Sequence, residues 1–366
     1  MISIPSFAKI NLGLKIGAPR PDGFHELRTL YQTLALHDVI HVDVQPGSGI
    51  EIRCQDPRVP LDPTNTFYKI AERVLQAGKT PQRLKPTADG DLYGTAQAAR
   101  LQDAIRHTAP GRIVIEIEKR LPVEGGVGAA SSNAVATMLA MERALGVRLS
   151  AQDKLRIAAE VGSDLPLFLV GGTVLGGGRG EEVYPLPDLP CLHLVVVTPS
   201  VGVSTPRAFA RWDELAADQP ALTPADPAGT INEFSQRVLG WLRASFPQAP
   251  PAEDVGVKVG PASGVPAGGG DRAETLLLDL VRAGIENDFE RVVFPEYPEL
   301  REVKELLLRE GAEYASLSGS GSTLYGAFQS ADEARAVAAR MSAAGQAAVA
   351  TTTLTRNEYW KAIAGN

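Results

Sequence analysis

Along the opening stretch of the chain, apolar and β-branched residues gather at Ile10–Ile16, Leu30–Leu36 and Val39–Val44. Turn formers separate them at Pro19-Arg20-Pro21-Asp22-Gly23 and at His37-Asp38. Short apolar runs bounded by such residues predict strands. At Asn65–Ala77 the spacing lengthens, and Phe67, Ile70, Ala71 and Val74 fall on one helical face. Arg112–Lys119 then sets Ile113, Ile115 and Ile117 against Glu116 and Glu118, the alternation of a half-buried strand. Helical runs follow at Ala134–Leu145 and at Ala151–Val161, the second with Ser150 as its N-cap.

Leu192–Val197 predicts a buried strand that opens a second half. Helices are predicted at Thr205–Leu215, Thr230–Ala244, Ala273–Ala283, Pro298–Glu310 and Ala331–Ala343, and strands at Tyr314–Leu317, Thr323–Phe328 and Ala348–Leu354. Two stretches break the pattern. Residues 78–111 begin and end in Gly and Pro, with one short helix at Thr95–His107, and Pro247–Gly270 is rich in Pro, Gly and Ala. They read as insertions, at about 78–111 and about 247–272. The best boundary falls at Pro185–Pro190, giving an α+β protein of two lobes, 1–187 and 188–366, with the ligand site at their junction.

Composition narrows the function. The chain has 366 residues, 44% hydrophobic and 22% charged, which is enough to bury two cores. A net charge of -7 argues against a nucleic-acid partner, whose backbone needs clustered Lys and Arg. Cys54 and Cys191 form neither a metal-ligand spacing nor a disulfide framework, so a reducing cytoplasm is expected. The opening residues show no secretion signal, and no apolar stretch approaches the length needed to span a bilayer.

Chemistry is suggested by glycine. Gly78-Lys79-Thr80 imitates the end of a P-loop, but the first glycine of that motif would fall at Arg73 and the segment follows a helix, so it reads as a loop exit. The stronger signal is Pro122-Val123-Glu124-Gly125-Gly126-Val127-Gly128-Ala129-Ala130-Ser131-Ser132, a glycine-rich turn between a strand and a helix. Glycine lets backbone approach a ligand, and a helix start offers unpaired N–H groups to phosphate. By itself this loop is equally a tight turn with serine caps. Two further turns accompany it, Val161-Gly162-Ser163-Asp164-Leu165-Pro166 and Leu317-Ser318-Gly319-Ser320-Gly321-Ser322-Thr323, after Lys9-Ile10-Asn11 in the opening strand.

These turns in this order resemble the GHMP superfamily of small-molecule kinases. Ala8-Lys9-Ile10-Asn11-Leu12, Arg20-Pro21-Asp22-Gly23-Phe24-His25, Ser131-Ser132-Asn133-Ala134, Gly162-Ser163-Asp164-Leu165-Pro166, Ser204-Thr205-Pro206 with Phe209, and Asn287-Asp288 are similar to its 4-diphosphocytidyl-2-C-methyl-D-erythritol kinase family. Glu124, Ala129 and Ala130 stand where that family's loop has glycines, and Phe24 where it has tyrosine.

The resemblance implies a fold with a ribosomal-protein-S5-like N-terminal lobe and a ferredoxin-like C-terminal lobe. It implies transfer of the γ-phosphoryl group of ATP, with Mg²⁺, to a cytidine diphosphate substrate, by a cytoplasmic monomer or homodimer. Asp164 is then the expected base, and Lys9 the cation that holds it ionised and offsets phosphoryl charge. ATP is expected on Asn65, Lys119, Pro122, Val123, Glu124, Gly125, Gly126, Val127, Gly128, Ala129, Ala130, Ser131 and Ser132, with Ser132 on the metal. The substrate is expected on Asn11, Phe24, His25, Asp164, Thr205, Phe209 and Gly319, with the base between Phe24 and Phe209 and His25 reading its edge. The alternatives are a GHMP kinase with a homoserine, mevalonate or sugar acceptor, and a non-catalytic nucleotide-binding homologue.

Overall fold

The computed structural model describes residues 1–79, 111–123, 125–219, 233–238 and 285–365. The insertion at about 247–272, nearly all of that at about 78–111, the helix at Ala273–Ala283, and Glu124 lie outside the described residues. Within Thr230–Ala244 only 233–238 is described, and it is helical.

Two long antiparallel strands form the spine, β1 (Ile2–Pro19) and β2 (His25–Gln45). Their turn is the Pro/Asp/Gly segment read from the sequence. Arg20 N–H donates to Phe24 O over 2.6 Å, Gly23 sits at φ +83°, and Asp22 Oδ1 accepts from Phe24 N. The expectation of a second turn at His37-Asp38 is corrected, because β2 runs straight through it. Asp38 can stand inside a strand because its fully buried carboxylate is filled by donors from four residues of two other segments, described below.

β2 carries β1 along one edge and shares the other between β4 (Arg112–Glu118) and β5 (Thr173–Gly177). β3 (Ile50–Cys54) lies parallel to β4, and β6 (Glu182–Pro185) is the far edge. As expected, Ile113, Ile115 and Ile117 point inward. Helices α1 (Thr66–Lys79), α2 (Ala129–Ala144), α3 (Ala151–Val161) and the one-turn α4 (Leu165–Phe168) cover this sheet. Ser150 caps α3 by accepting from Asp153 N at 3.0 Å. α2 starts earlier than the Ala134 read from the sequence: Gly128, left-handed at φ +71°, launches the helix, so Ser131, Ser132 and Asn133 belong to its first turns.

The second sheet runs β10–β7–β9–β8, built from Ala348–Thr352, His193–Val197, Leu324–Phe328 and Tyr314–Leu317. It is covered by α5 (Thr205–Asp218), α6 (Glu290–Glu296), α7 (Pro298–Arg309) and α8 (Ala331–Ala343). Between the sheets, Ala8, Ile10, Leu12, Leu30 and Leu34 pack with Leu194, Val196, Tyr325 and Ala327. A final helix the sequence pattern did not reveal, α9 (Arg356–Ala364), returns to the first sheet. Its Tyr359 is buried and donates to Phe168 O over 2.6 Å. Among the described residues no helix is long and apolar enough to cross a membrane.

Candidate active site

Strand alternation explains where the first functional side chains point. Ala8, Ile10 and Leu12 face the second sheet, so Lys9 and Asn11 take the opposite face. The register of β1 against β2 shifts between Phe7 and Lys9 and again between Asn11 and Gly13. Such irregularities re-aim side chains and release backbone groups from the ladder. Lys9 N–H donates to Val127 O over 2.9 Å, which ties the strand to the glycine loop.

The Lys9 ammonium is almost fully buried and has two partners. It donates to Asn11 Oδ1 at 2.7 Å and lies 3.4 Å from Asp164 Oδ2. Asn11 in turn donates to Thr29 Oγ1 at 2.7 Å, and Thr29 to Gly13 O at 2.8 Å. Asp164 opens α4, yet its carboxylate makes no capping bond to that helix. It is instead reserved for Lys9 and for Tyr31, whose hydroxyl donates to Asp164 Oδ1 at 3.0 Å. Burial, and then the neighbouring Asp164 charge, push the Tyr31 hydroxyl well above its ordinary pKa. Tyr31 therefore remains a proton donor to the carboxylate.

A cleft of about 570 Å³ opens over this group. Its other wall is the glycine loop and the start of α2, where Gly125, Gly126, Val127, Gly128, Ala129, Ala130 and Ser131 all line it. The first N–H groups of a helix have no partner within the helix, and here they belong to cleft-lining residues. The loop is held from behind by backbone. Thr323 N donates to Gly125 O at 3.0 Å and Ser318 Oγ to Gly126 O at 3.1 Å. The fit leaves no room for side chains: a Cβ on Gly126 would lie 2.4 Å from Ser318 O, and one on Gly128 3.0 Å from Lys9 Cγ. The Leu317–Thr323 turn is thus a buttress of the loop, and only Gly319 and Ser320 of it reach the cleft.

The loop's entrance hangs on Asp38. Its carboxylate accepts from Arg120 N and Leu121 N, each at 2.6 Å, from Lys119 Nζ at 2.8 Å and from Asn133 Nδ2 at 3.0 Å. Lys119 borders the cleft, but its ammonium is directed at Asp38 and Leu121 O. Asn65 also borders it, with its amide spent on Pro60 O and on the N-terminal turn of α1 through Phe67 N. Ser132, the residue expected on the metal, lies behind the cleft surface. Its hydroxyl is buried, accepts from Ser6 Oγ at 2.7 Å and does not line the cleft, whereas Ser131 does.

At the opposite end, Asn11, Phe24, His25, Thr205, Phe209 and Gly319 all reach the cleft. Phe209 and Phe24, expected on either side of the base, each have neighbours of their own. Phe209 stacks on His25 at 4.9 Å between ring centres and 15° between planes, and meets Phe289 edge-on at 5.0 Å. His25 Nε2 is fixed 2.7 Å from Asp213 Oδ1. Phe24 is 49% exposed and lies under the Arg179 guanidinium, 4.8 Å from its ring centre. Thr205 Oγ1 and Ser320 Oγ are 2.7 Å apart, joining α5 to the Gly319 turn. Asn287 Nδ2 holds that turn by donating to Leu317 O and Gly319 O. Asp288 accepts from Ile16 N at 3.0 Å and pairs with Lys15 at 3.1 Å, and burial nonetheless raises its pKa above the ordinary carboxylate value.

Sequence reasoning missed Tyr31, Thr29, Asp38, Arg179 and Asp213. Only two had a local signal: Asp38 is an acid inside an apolar run, and Arg179 is the sole charge in Gly176-Gly177-Gly178-Arg179-Gly180.

The chain is similar to known proteins along most of its length. The GHMP kinases N terminal domain matches residues 93–172, and the GHMP kinases C terminal domain residues 273–347. The chain is 33% identical over 326 residues to a 4-diphosphocytidyl-2-C-methyl-D-erythritol kinase of Solibacter usitatus, covering 88% of this chain and 80% of that one. It is 31% identical over 354 residues to the enzyme of the same name from Moorella thermoacetica, covering 97% and 99%. A crystal structure of 4-(cytidine 5'-diphospho)-2C-methyl-D-erythritol kinase superposes with a TM-score of 0.62 at 26% identity, over 96% of this chain and 99% of that one. A homoserine kinase from Cytophaga hutchinsonii superposes with a TM-score of 0.61 at 19% identity, over 97% and 95%, a likeness of fold alone.

Proposed function

Since the chain belongs to the 4-diphosphocytidyl-2-C-methyl-D-erythritol kinase family of GHMP kinases, we propose that it phosphorylates the 2-hydroxyl of that cytidine diphosphate alcohol with ATP. The observation that carries this reading is the pair of buried Lys9 and cleft-exposed Asp164, 3.4 Å apart, facing a helix N-terminus across one cleft.

In the reaction the substrate hydroxyl oxygen bonds to the γ-phosphorus as the bond from that phosphorus to the β,γ-bridging oxygen breaks. The hydroxyl proton passes to Asp164, and ADP leaves. Tyr31 and Lys9 hold the carboxylate by one oxygen each, so it presents an acceptor in a fixed orientation. Lys9 also offsets charge on the transferring group. The amides at the start of α2 receive phosphate oxygens. Phe24, His25 and Phe209 take the cytidine end, and Asn11, Thr205 and Gly319 the part between.

Magnesium carried by ATP needs only one or two protein oxygens. Ser131 and Asp164 offer them on the cleft surface, while the Ser132 hydroxyl is engaged elsewhere. When bound, the ion would offset negative charge on the phosphates. We place the enzyme in the cytoplasm, in keeping with two free cysteines, Cys54 and Cys191.

The test is ADP release with ATP and a panel of the cytidine diphosphate alcohol, homoserine and mevalonate, with phosphorus NMR locating the new phosphate. Turnover of the first alone, phosphorylated at its 2-position, is expected. Preference for another acceptor, or no turnover of any, would refute the reading.

A further inference from the structure

The turn between β5 and β6 has no part in the chemistry above, yet it enters the cleft. Gly178 O accepts from Leu27 N at 2.7 Å, which fastens the turn to β2. Gly180, at φ +110°, lies so close to the Tyr31–Asp164 contact that a Cβ there would be 2.7 Å from the Tyr31 hydroxyl and 3.6 Å from Asp164 Oδ1. Arg179 is the residue between these two glycines. Its chain is fixed by Glu181, which accepts from Arg179 N at 2.6 Å and from Arg179 Nε at 3.3 Å. Its guanidinium plane lies over Phe24.

The other long cations on the cleft are committed. Lys9 is turned to Asp164 and Asn11, Lys119 to Asp38, and the Arg58 fork closes on both oxygens of Asp56. Arg179 differs. Among the described residues neither of its terminal nitrogens makes a hydrogen bond, and its side chain remains 28% exposed at the cleft. An arginine held by Nε and by an aromatic face, with its terminal nitrogens open, is preorganised to bind phosphate by two parallel hydrogen bonds.

Its position decides which phosphate. Phe24, to one side, belongs to the proposed cytidine end. Asp164, reached through Gly180 on the other, belongs to the reacting hydroxyl. In the proposed substrate the group between base and alcohol is the diphosphate. Resting on that reading of the cleft, we propose that Arg179 binds the substrate's diphosphate and makes the enzyme select nucleoside diphosphate alcohols over acceptors that lack it.

The experiment measures binding of CDP, cytidine and ATP by calorimetry, and KM and kcat for the cytidine diphosphate alcohol. It uses the wild type, Arg179→Ala, Arg179→Lys and Arg179→Gln, each with its melting temperature recorded. The wild type should bind CDP more tightly than cytidine. Arg179→Ala and Arg179→Gln should weaken CDP binding and raise KM by about 10- to 100-fold, as loss of a charge-assisted pair of bonds does. Cytidine and ATP binding should stay within about twofold of wild type, and Arg179→Lys should recover part of the loss because it restores charge but not the fork. Equal losses for CDP and cytidine would reduce Arg179 to a support for Phe24, and no loss for CDP would remove it from the site; either overturns the proposal. Turnover by the wild type tests the parent reading separately, because the CDP and cytidine measurements do not depend on catalysis.

Discussion

The Tyr31 hydroxyl and the Asp164 carboxylate meet at 3.0 Å, on the oxygen opposite the one that faces Lys9. A strand residue and a turn residue from separate segments thereby fix the plane of one carboxylate. Tyr31→Phe should lower kcat by about 10- to 100-fold, the worth of a hydrogen bond to a charged group. The KM for ATP should hardly move, since Tyr31 contributes orientation and not nucleotide contact. Steady-state kinetics decide it: an unchanged kcat would show that Lys9 alone orients the carboxylate.

Asp164→Asn keeps the shape but removes the proton acceptor, and should slow single-turnover transfer by about 10²- to 10⁴-fold. Lys9→Ala should cost a comparable amount. The double variant should be little worse than either, because groups acting as a unit are not additive. Fully additive losses would separate the two residues.

The glycines of the loop make distinguishable demands. Gly126→Ala sets a Cβ against Ser318 O, and Gly128→Ala one against Lys9 Cγ, both in left-handed backbone that costs an L-residue about 1–2 kcal/mol. The first should chiefly raise the KM for ATP by moving the loop off its buttress. The second should chiefly lower kcat by displacing Lys9. Identical profiles for the two would argue that the loop shifts as one body.

Asp38→Asn leaves the Lys119 ammonium without its buried counter-charge, and breaking such a pair costs about 3–5 kcal/mol. Urea unfolding should show that loss, together with weaker ATP binding, because the entrance of the loop loses its anchor. A midpoint equal to wild type would mean that the backbone donors alone suffice.

Burial pushes Tyr31, Tyr325 and Tyr359 above their ordinary value near 10. The unfolded chain therefore releases these protons at lower pH than the folded one. The stability they contribute is whole below pH 10 and falls as pH rises beyond it. Urea midpoints should decline from pH 9 to 11, and the ionisation of these rings, followed by ultraviolet absorbance, should coincide with unfolding. Ionisation of every tyrosine near 10 in a chain still folded would contradict their burial.

Much of the molecule was legible in order. The alternation of Ile113, Ile115 and Ile117 fixes β4, Ser150 marks the start of α3, and Pro21-Asp22-Gly23 marks the hairpin between β1 and β2, because each depends on neighbours in sequence. The three glycine turns were likewise legible in sequence, although that the Leu317–Thr323 turn buttresses the loop was not. Alternation also puts Lys9 and Asn11 on one face of β1, but it cannot say what that face meets.

What meets it was decided by packing. Register shifts flanking Lys9 send its N–H to Val127 and its ammonium to Asp164, from segments far along the chain. Ser131 and Ser132 are adjacent and chemically alike, yet one lines the cleft and the other is buried against Ser6, since the face α2 turns to β1 is set only when helix and sheet pack. Asp38 reads as a turn residue until donors from Lys119, Arg120, Leu121 and Asn133 converge on it. Local sequence specifies the faces of each element and the backbone its glycines allow. The partners of a buried charge are specified only by the tertiary structure, because removing that charge from water is favourable only where several distant groups replace the water at once.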